Sequence, residues 1–323
     1  MNLLLIYLLY YLNIGMNKSS ECSPVALFVY NRLSNLIKTI DALKLNELSA
    51  KTDLFIFSDG PKEVSTDLEA VKLVRDYIKN ISGFRSVNLK LNPINKGLAR
   101  SIVDGVTEVL EEYETIIVLE DDLVVDKAFL QFMNEALDKY VLDERVMSIS
   151  GYIYPTSFRH LESSTFFLNY ADCFGWGTWR RGWKYFEWDA RTLYQKLKEK
   201  KLMNRFNFDF SYPYSLMLRK QFTPKSTSWA VRWYGAGVLN DKLTLFPCRS
   251  LVNHIGFEGG SHFKMASWLA GFMSSELLGS PIAVDNIEVK ENAEARGLYR
   301  KYLFALTILM LINKLKTIFN FKK

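Results

Sequence analysis

The stretch IIVLEDDLVV, residues 116–125, decides the fold. Its apolar residues 116–119 read as a strand buried on both faces, and they run directly into Glu120, Asp121 and Asp122. Three carboxylates thus fall at the carboxyl end of a buried strand, the edge at which an open α/β sheet binds its ligands. Adjacent anions repel one another unless a cation or strong donors meet them. Oxygen ligands suit Mg²⁺ or Mn²⁺, which reach a protein through one or two carboxylates while substrate phosphates and water supply the rest. A solvated turn after a core strand would carry the same residues, so the trio alone leaves both readings open.

Upstream, the run SPVALFVYNRL holds a strand over residues 25–30 that ends in Asn31 and Arg32. A helix follows over 34–45, with Ser34 as its N-cap and Leu36, Ile37, Ile40 and Leu43 on its inner side. A second strand, 53–57, ends in Ser58 and Asp59, and a helix over 67–80 leads to a short strand in SVNLKLNP. A loop over 92–97 then opens a helix with Leu98, Ile102, Val106 and Leu110 on one side. Lys96 and Arg100 stand at its amino end beside backbone amides, a place that favours a phosphate oxygen. Strands alternating with helices predict a mostly parallel sheet with right-handed crossovers, and polar residues at successive strand ends predict one nucleotide crevice.

Downstream come a helix from residue 129, a strand over 146–150, and the aromatic run YADCFGWGTWRRGWKYFEWD, residues 170–189. Gly175 and Gly177 flank Trp176, which would let backbone approach a ligand beside an indole face, and flat aromatic faces stack on pyranose rings. The same cluster also has the composition of a core.

Composition narrows the class. The chain has 323 residues, 49% hydrophobic and 14% aromatic, which excludes a disordered protein. Three scattered cysteines predict a reducing compartment and no zinc site, and three histidines make no His-rich cluster. The net charge of +6 comes without a nucleic-acid-binding signature, so a membrane surface or a phosphorylated substrate explains it better. The apolar opening, residues 1–20, is short for a bilayer span and fits a signal peptide poorly, which leaves an interfacial anchor or a true start at Met16. The terminal run KYLFALTILMLINKLKTIFNFKK is apolar, carries Lys314, Lys316, Lys322 and Lys323, and has no acidic residue. It predicts an amphipathic helix lying on an anionic membrane, with a helix packed on the body as the competing reading.

Taken in order, VALFVYNR, FIFSDGPK, NKGLARSI and IIVLEDDLVV resemble the nucleotide-binding half of GT-A fold glycosyltransferases. They are similar to the inverting group that includes the N-acetylglucosaminyltransferase initiating complex N-glycan branching, and to bacterial polysaccharide and lipooligosaccharide glycosyltransferases. The resemblance implies a GT-A, Rossmann-like α/β fold. Arg32 and Asp59 would contact the nucleotide, Asp59 at the base. Glu120 and Asp121 would lie along ribose and sugar, and Asp122 would hold the metal. Asn31, Lys96 and Arg100 complete the expected donor site, with Asp172, Gly175 and Trp176 beneath the donor sugar. Relatives keep a carboxylate beside the tryptophan equivalent to Trp229 as general base, whereas this chain has Ser226, Thr227 and Ser228. The expected base therefore shifts to Asp172, Glu258 or Asp241. Glu258 lies in IGFEGGSH, which resembles the family's closing segment and also carries His262, a phosphate contact or second metal ligand. His254 reads as structural.

The expected organisation is an apolar segment (1–20), a nucleotide-sugar half (21–145), an acceptor half (146–290) and a membrane-associating helix (291–323). The expected activity is metal-dependent transfer of a hexose or N-acetylhexosamine from a nucleotide diphosphate sugar, UDP-linked, to a glycan or lipid-linked glycan, with inversion. Mn²⁺ or Mg²⁺ is the expected cofactor, nucleic acid is not an expected partner, and the expected location is the inner face of the cell membrane. The competing reading is a carbohydrate-binding or scaffold protein on a decayed transferase fold. A nucleotidyltransferase fits less well, because YNRLSN is neither glycine-rich nor basic enough for its phosphate loop.

Overall fold

The structure, a computed structural model, describes residues 22–156, 158, 161–223, 228–256 and 276–320, with side chains described as far as residue 313. The expected segment 1–20, Ser226, Thr227, Glu258 and His262 therefore lie outside the described residues, as do the side chains of Lys314, Lys316, Lys322 and Lys323.

Strands β1 (Val25–Val29) and β2 (Asp53–Ser58) are separated by helix α1 (Leu33–Lys44). Helix α2 (Ser65–Ile78) leads to β3 (Ser86–Leu91), and α3 (Leu98–Glu112) leads to β4 (Thr115–Glu120). Then follow β5 (Leu123–Val125), α4 (Phe129–Lys139), β6 (Val146–Ser150), β7 (Thr165–Leu168) and β8 (Trp176–Trp179). The remaining elements are α5 (Ala190–Glu199), α6 (Tyr214–Lys220), α7 (Ala230–Leu239), β9 (Leu243–Pro247), β10 (Val252–His254) and α8 (Ala293–Asn320).

Eight strands form one sheet in the order β3-β2-β1-β4-β8-β6-β9-β7. The pairs among β3, β2, β1 and β4 and the pair β6–β9 are parallel, and β8 and β7 enter antiparallel. Every residue of β1 and β2 is buried, as their unbroken apolar runs require of strands covered on both faces, whereas β3 forms a half-exposed edge. A separate antiparallel pair, β5 with β10, sets His254 opposite Leu123.

The architecture is the expected α/β one, with local differences. Helix α1 begins at Leu33 with Arg32 at the cap, so Ser34 lies in its first turn and caps nothing. The Trp176 side chain is fully buried, 0% exposed, and packs against Trp183, Trp229 and Trp233. The expectation of a sugar-facing indole at Trp176 is thereby corrected: an apolar ring of that size gains more from the core than from the crevice.

Candidate functional site

Parallel pairing brings the carboxyl ends of β1, β2 and β4 to one edge. Register puts Phe28 against Glu120 and Val29 against Ser58, so Arg32, Asp59 and the acidic trio meet there. Arg32 grips two members of the trio: Nη2 lies 2.6 Å from Asp121 Oδ1 and Nη1 lies 2.8 Å from Asp122 Oδ2. The Tyr30 amide donates to Asp121 Oδ2 at 3.3 Å, and the Thr39 hydroxyl donates to the Asp121 carbonyl at 3.0 Å. Burial opposes the charge of Arg32, but Asp121 and Asp122 outweigh it and hold the guanidinium above its ordinary range.

One guanidinium does not compensate three adjacent carboxyl groups, and proton uptake answers part of the excess. Burial, with Asp122 and Asp121 beside it, pushes half-buried Glu120 up to about 8, and Arg32 only partly offsets them. Burial also raises Asp121 to about 6, against the pull of Arg32. Asp122 is 5% exposed, and its buried Oδ1 has no hydrogen-bond partner among the described residues. A buried carboxylate oxygen with no donor is costly, and a cation would satisfy it. The Gly256 backbone presses against this carboxylate so closely that a Cβ there would overlap Asp122.

His254, which sequence reasoning treats as structural, stands with Nε2 3.8 Å from Asp122 Oδ2. Burial holds its imidazole below its ordinary range and hence neutral near pH 7, although Asp122 works the other way. Its Nδ1 accepts the Gly256 amide at 3.2 Å, so the neutral ring carries its proton on Nε2. Ligation of a cation through Nε2 would require the opposite tautomer and release of that amide. Among the described residues no three His, Cys, Asp or Glu side chains form a complete cation cage. The donors fit a hard divalent cation held mainly by Asp122 and completed by substrate oxygens.

Asp59 is 6% exposed and is occupied by the chain itself. Oδ1 accepts the amides of Gly60 and Lys96, and Oδ2 accepts the amide of Gly97, each at 2.9 Å. It thereby fixes the loop that starts α3, where Gly97 adopts φ 78°. Arg75 braces the same edge, donating to Ser58 Oγ at 3.3 Å and to the carbonyls of Asp59 and Asn92 at 3.3 and 2.5 Å. Sequence reasoning missed Arg75 and Thr39. Both left a signal, because each sits on the buried stripe of its helix, Arg75 among Val71, Val74 and Ile78, and Thr39 among Leu36, Ile40 and Leu43.

The other expected donor contacts are paired with carboxylates of the chain itself. Lys96 and Arg100 share Asp104, at 3.5 and 2.9 Å. Asn31 donates to Asp67 at 2.7 Å, and the Tyr30 hydroxyl donates to the other oxygen of that carboxylate.

On the acceptor side, Asp172 is 5% exposed, and its Oδ1 accepts the amides of Cys173 and Phe174 at 2.6 and 3.0 Å. Burial pushes this carboxyl up to about 7, with those two amides restraining the rise. Gly175 adopts φ 68°, and a Cβ there would meet Val252 of β10, so backbone passes close beside the His254 strand. Phe174 sets its ring edge-on to His254 with centroids 4.7 Å apart. The structure thus brings the backbone just after Asp172 beside β10 and His254. It does not bring Asp241, which is exposed in the turn before Leu243, at the opposite edge of the sheet.

A model of the family described as Glycosyl transferase family 2 matches residues 25–220. Among solved structures, the chain is similar to the mannosyltransferase PcManGT of Pyrobaculum calidifontis in complex with GDP-Man and Mn²⁺, at 16% identity over 44% of this chain and 42% of that one, with a TM-score of 0.27. It is similar to S. aureus TarS 1–349 at 11% identity, over 73% of this chain and 61% of that one, with a TM-score of 0.41. It is similar to the Mycobacterium tuberculosis glucosyl-3-phosphoglycerate synthase in complex with Mn²⁺, UDP and glucosyl-3-phosphoglycerate at 9% identity, over 51% of this chain and 58% of that one, with a TM-score of 0.30. The chain therefore spans less than two thirds of each of these proteins. No curated protein matches.

Proposed function

Because the chain belongs to glycosyl transferase family 2 and so transfers a sugar from a nucleotide-sugar donor, we propose that it moves a hexose or N-acetylhexosamine from a UDP-sugar to a glycan or lipid-linked glycan, with inversion, at the inner face of the cell membrane. The observation that carries this reading is the buried Oδ1 of Asp122, just past the carboxyl end of β4, which finds no partner among the described residues. A divalent cation there, Mn²⁺ or Mg²⁺, would offset charge on the departing diphosphate.

The chain's own residues do the rest. Arg32 holds Asp121 and Asp122 in place, and the loop clamped by Asp59 lines the nucleotide side of the crevice. Lys96 and Arg100 are near enough to exchange Asp104 for a phosphate oxygen, a charge-assisted contact. Asp172, with a pKa close to working pH, is the general base. It takes the proton of the acceptor hydroxyl as that oxygen bonds to the anomeric carbon. The bond from that carbon to the diphosphate oxygen breaks, and its electron pair leaves with the nucleotide.

Titration of the purified protein with a panel of nucleotide sugars, with and without Mn²⁺, tests this. Mn²⁺-dependent binding and slow hydrolysis of one donor are expected, and the proposal fails if no donor is bound or hydrolysed. The competing reading, a decayed transferase that only binds glycans, draws on Thr227 standing where the resemblance expects a carboxylate. Loss of nucleotide affinity in Asp122→Asn with glycan assembly unimpaired would favour it.

A further inference from the structure

Helix α8 is apolar on two opposite sides. Ala295, Tyr299, Leu303 and Leu306 are buried, with Tyr299 against Tyr154, Tyr170, Phe208 and Phe246. At about 100° per residue, Phe304, Ile308, Leu311 and Ile312 fall on the far side, and they are 56%, 41%, 57% and 40% exposed. A helix that only covers its own body keeps that side polar.

A second element packs along the flank of this helix. Phe208, Asp209 and Phe210 follow one another with φ of 50°, 55° and 64°, a left-handed run of non-glycine residues that bulky side chains rarely adopt. The turn is held against α8 at several points. Arg296 pairs with Asp209 at 3.0 Å and lies over the Phe208 ring at 4.4 Å, and Thr307 donates to the Ser211 carbonyl at 2.8 Å. Phe210 lies between these anchors and projects 79% exposed. The fold thus holds an aromatic side chain in water on a turn anchored to a helix whose far side is apolar and exposed.

Charge identifies the occupant. Arg300 and Lys301 are exposed on the same helix, Lys314, Lys316, Lys322 and Lys323 follow in sequence, and no acidic residue occurs after Glu294. Two copies of such a surface would repel each other, whereas anionic headgroups would complement it. Among the described residues no helix is long and apolar enough to cross a membrane, which favours lying on a bilayer over spanning it. We propose that Phe210 and the outward side of α8 form one docking surface for an anionic lipid bilayer, with the aromatic and aliphatic side chains in the headgroup region and Arg300 and Lys301 against lipid phosphates. The surface stands on its own observations and needs no assumption about the transfer reaction.

The test is co-sedimentation of the full chain with phosphatidylcholine vesicles with and without phosphatidylserine, at low and high salt. Binding that requires phosphatidylserine and weakens with salt is expected, and Phe210→Ser and the double variant Phe304→Ser/Leu311→Ser should each lower it by about 10-fold or more. Phe210 is exposed, so Phe210→Ser removes no core packing and keeps the test valid even if the helix variant folds poorly. Unchanged vesicle binding in Phe210→Ser, or vesicle indifference of the parent chain, would overturn the inference. So would a dimer in light scattering that the helix variant dissociates. Nucleotide-sugar binding, measured separately on the same samples, keeps failure here distinct from failure of the transferase reading.

Discussion

At the scale of single residues, the crowding of negative charge around Asp122 makes a two-sided prediction. Asp122→Asn removes one charge from a trio that Arg32 alone cannot balance. The cation-free protein should melt no lower than the parent and is expected to melt slightly higher. Donor turnover with Mn²⁺ should fall about 100-fold, in line with the few kcal/mol that metal stabilisation of a leaving group supplies. A melting curve without divalent ions and a turnover assay with them check the two halves. Asp172 makes a pH prediction. Its carboxyl titrates near 7 in the fold and near 4 when unfolded, so between those values the folded chain holds a proton that the unfolded chain has lost. This group therefore opposes folding increasingly as pH rises through that window. Asp172→Asn should stabilise the protein at pH 8 by up to about 4 kcal/mol, and the gain should vanish near pH 4. The same substitution should abolish the rise of kcat/KM with pH below about 7, which a pH–rate profile reads directly.

At the scale of elements, the crevice is shaped by strand ends and the turns that leave them. The loop before α3 adopts its course because Asp59 collects three amides and Gly97 takes a left-handed φ, with open space where a Cβ would go. Gly97→Ala should therefore cost about 1–2 kcal/mol from backbone conformation alone. Asp59→Ala removes a charged acceptor from three donors and should cost about 3 kcal/mol. Chemical denaturation of both variants tests the difference. At the other side of the site, β10 carries His254 to Asp122 only because it pairs with β5, a short strand that begins immediately after the trio. Gly256→Ala would push a methyl group into the Asp122 carboxylate, and loss of donor binding with little change in melting temperature is the expected result.

At the scale of the whole molecule, one sheet joins the two halves that the sequence suggests. The free side of β4 is covered by β8, with Ile117 against Gly177 and Val118 against Trp176. A fragment ending at residue 145 would leave that edge and its apolar faces in water, so it should bind hydrophobic dyes and unfold without a cooperative transition, while the full chain unfolds cooperatively. The α/β class, the order of the first four strands and the acidic edge were legible in the sequence, because they follow from local periodicity: buried strands are apolar throughout, helices repeat every 3.6 residues, and charge ends a strand. The pairing of Asn31 with Asp67, the burial of Trp176, the position of His254 beside Asp122 and the exposure of Phe210 were not legible. Each depends on which distant segment packs alongside, and one-dimensional spacing carries no information about that. Sequence alone determined that carboxylates end a buried strand. Only tertiary packing decided which of their oxygens are left without a partner among the described residues, because that depends on Arg32 and Thr39 of α1 and on the distant Gly256 converging on them.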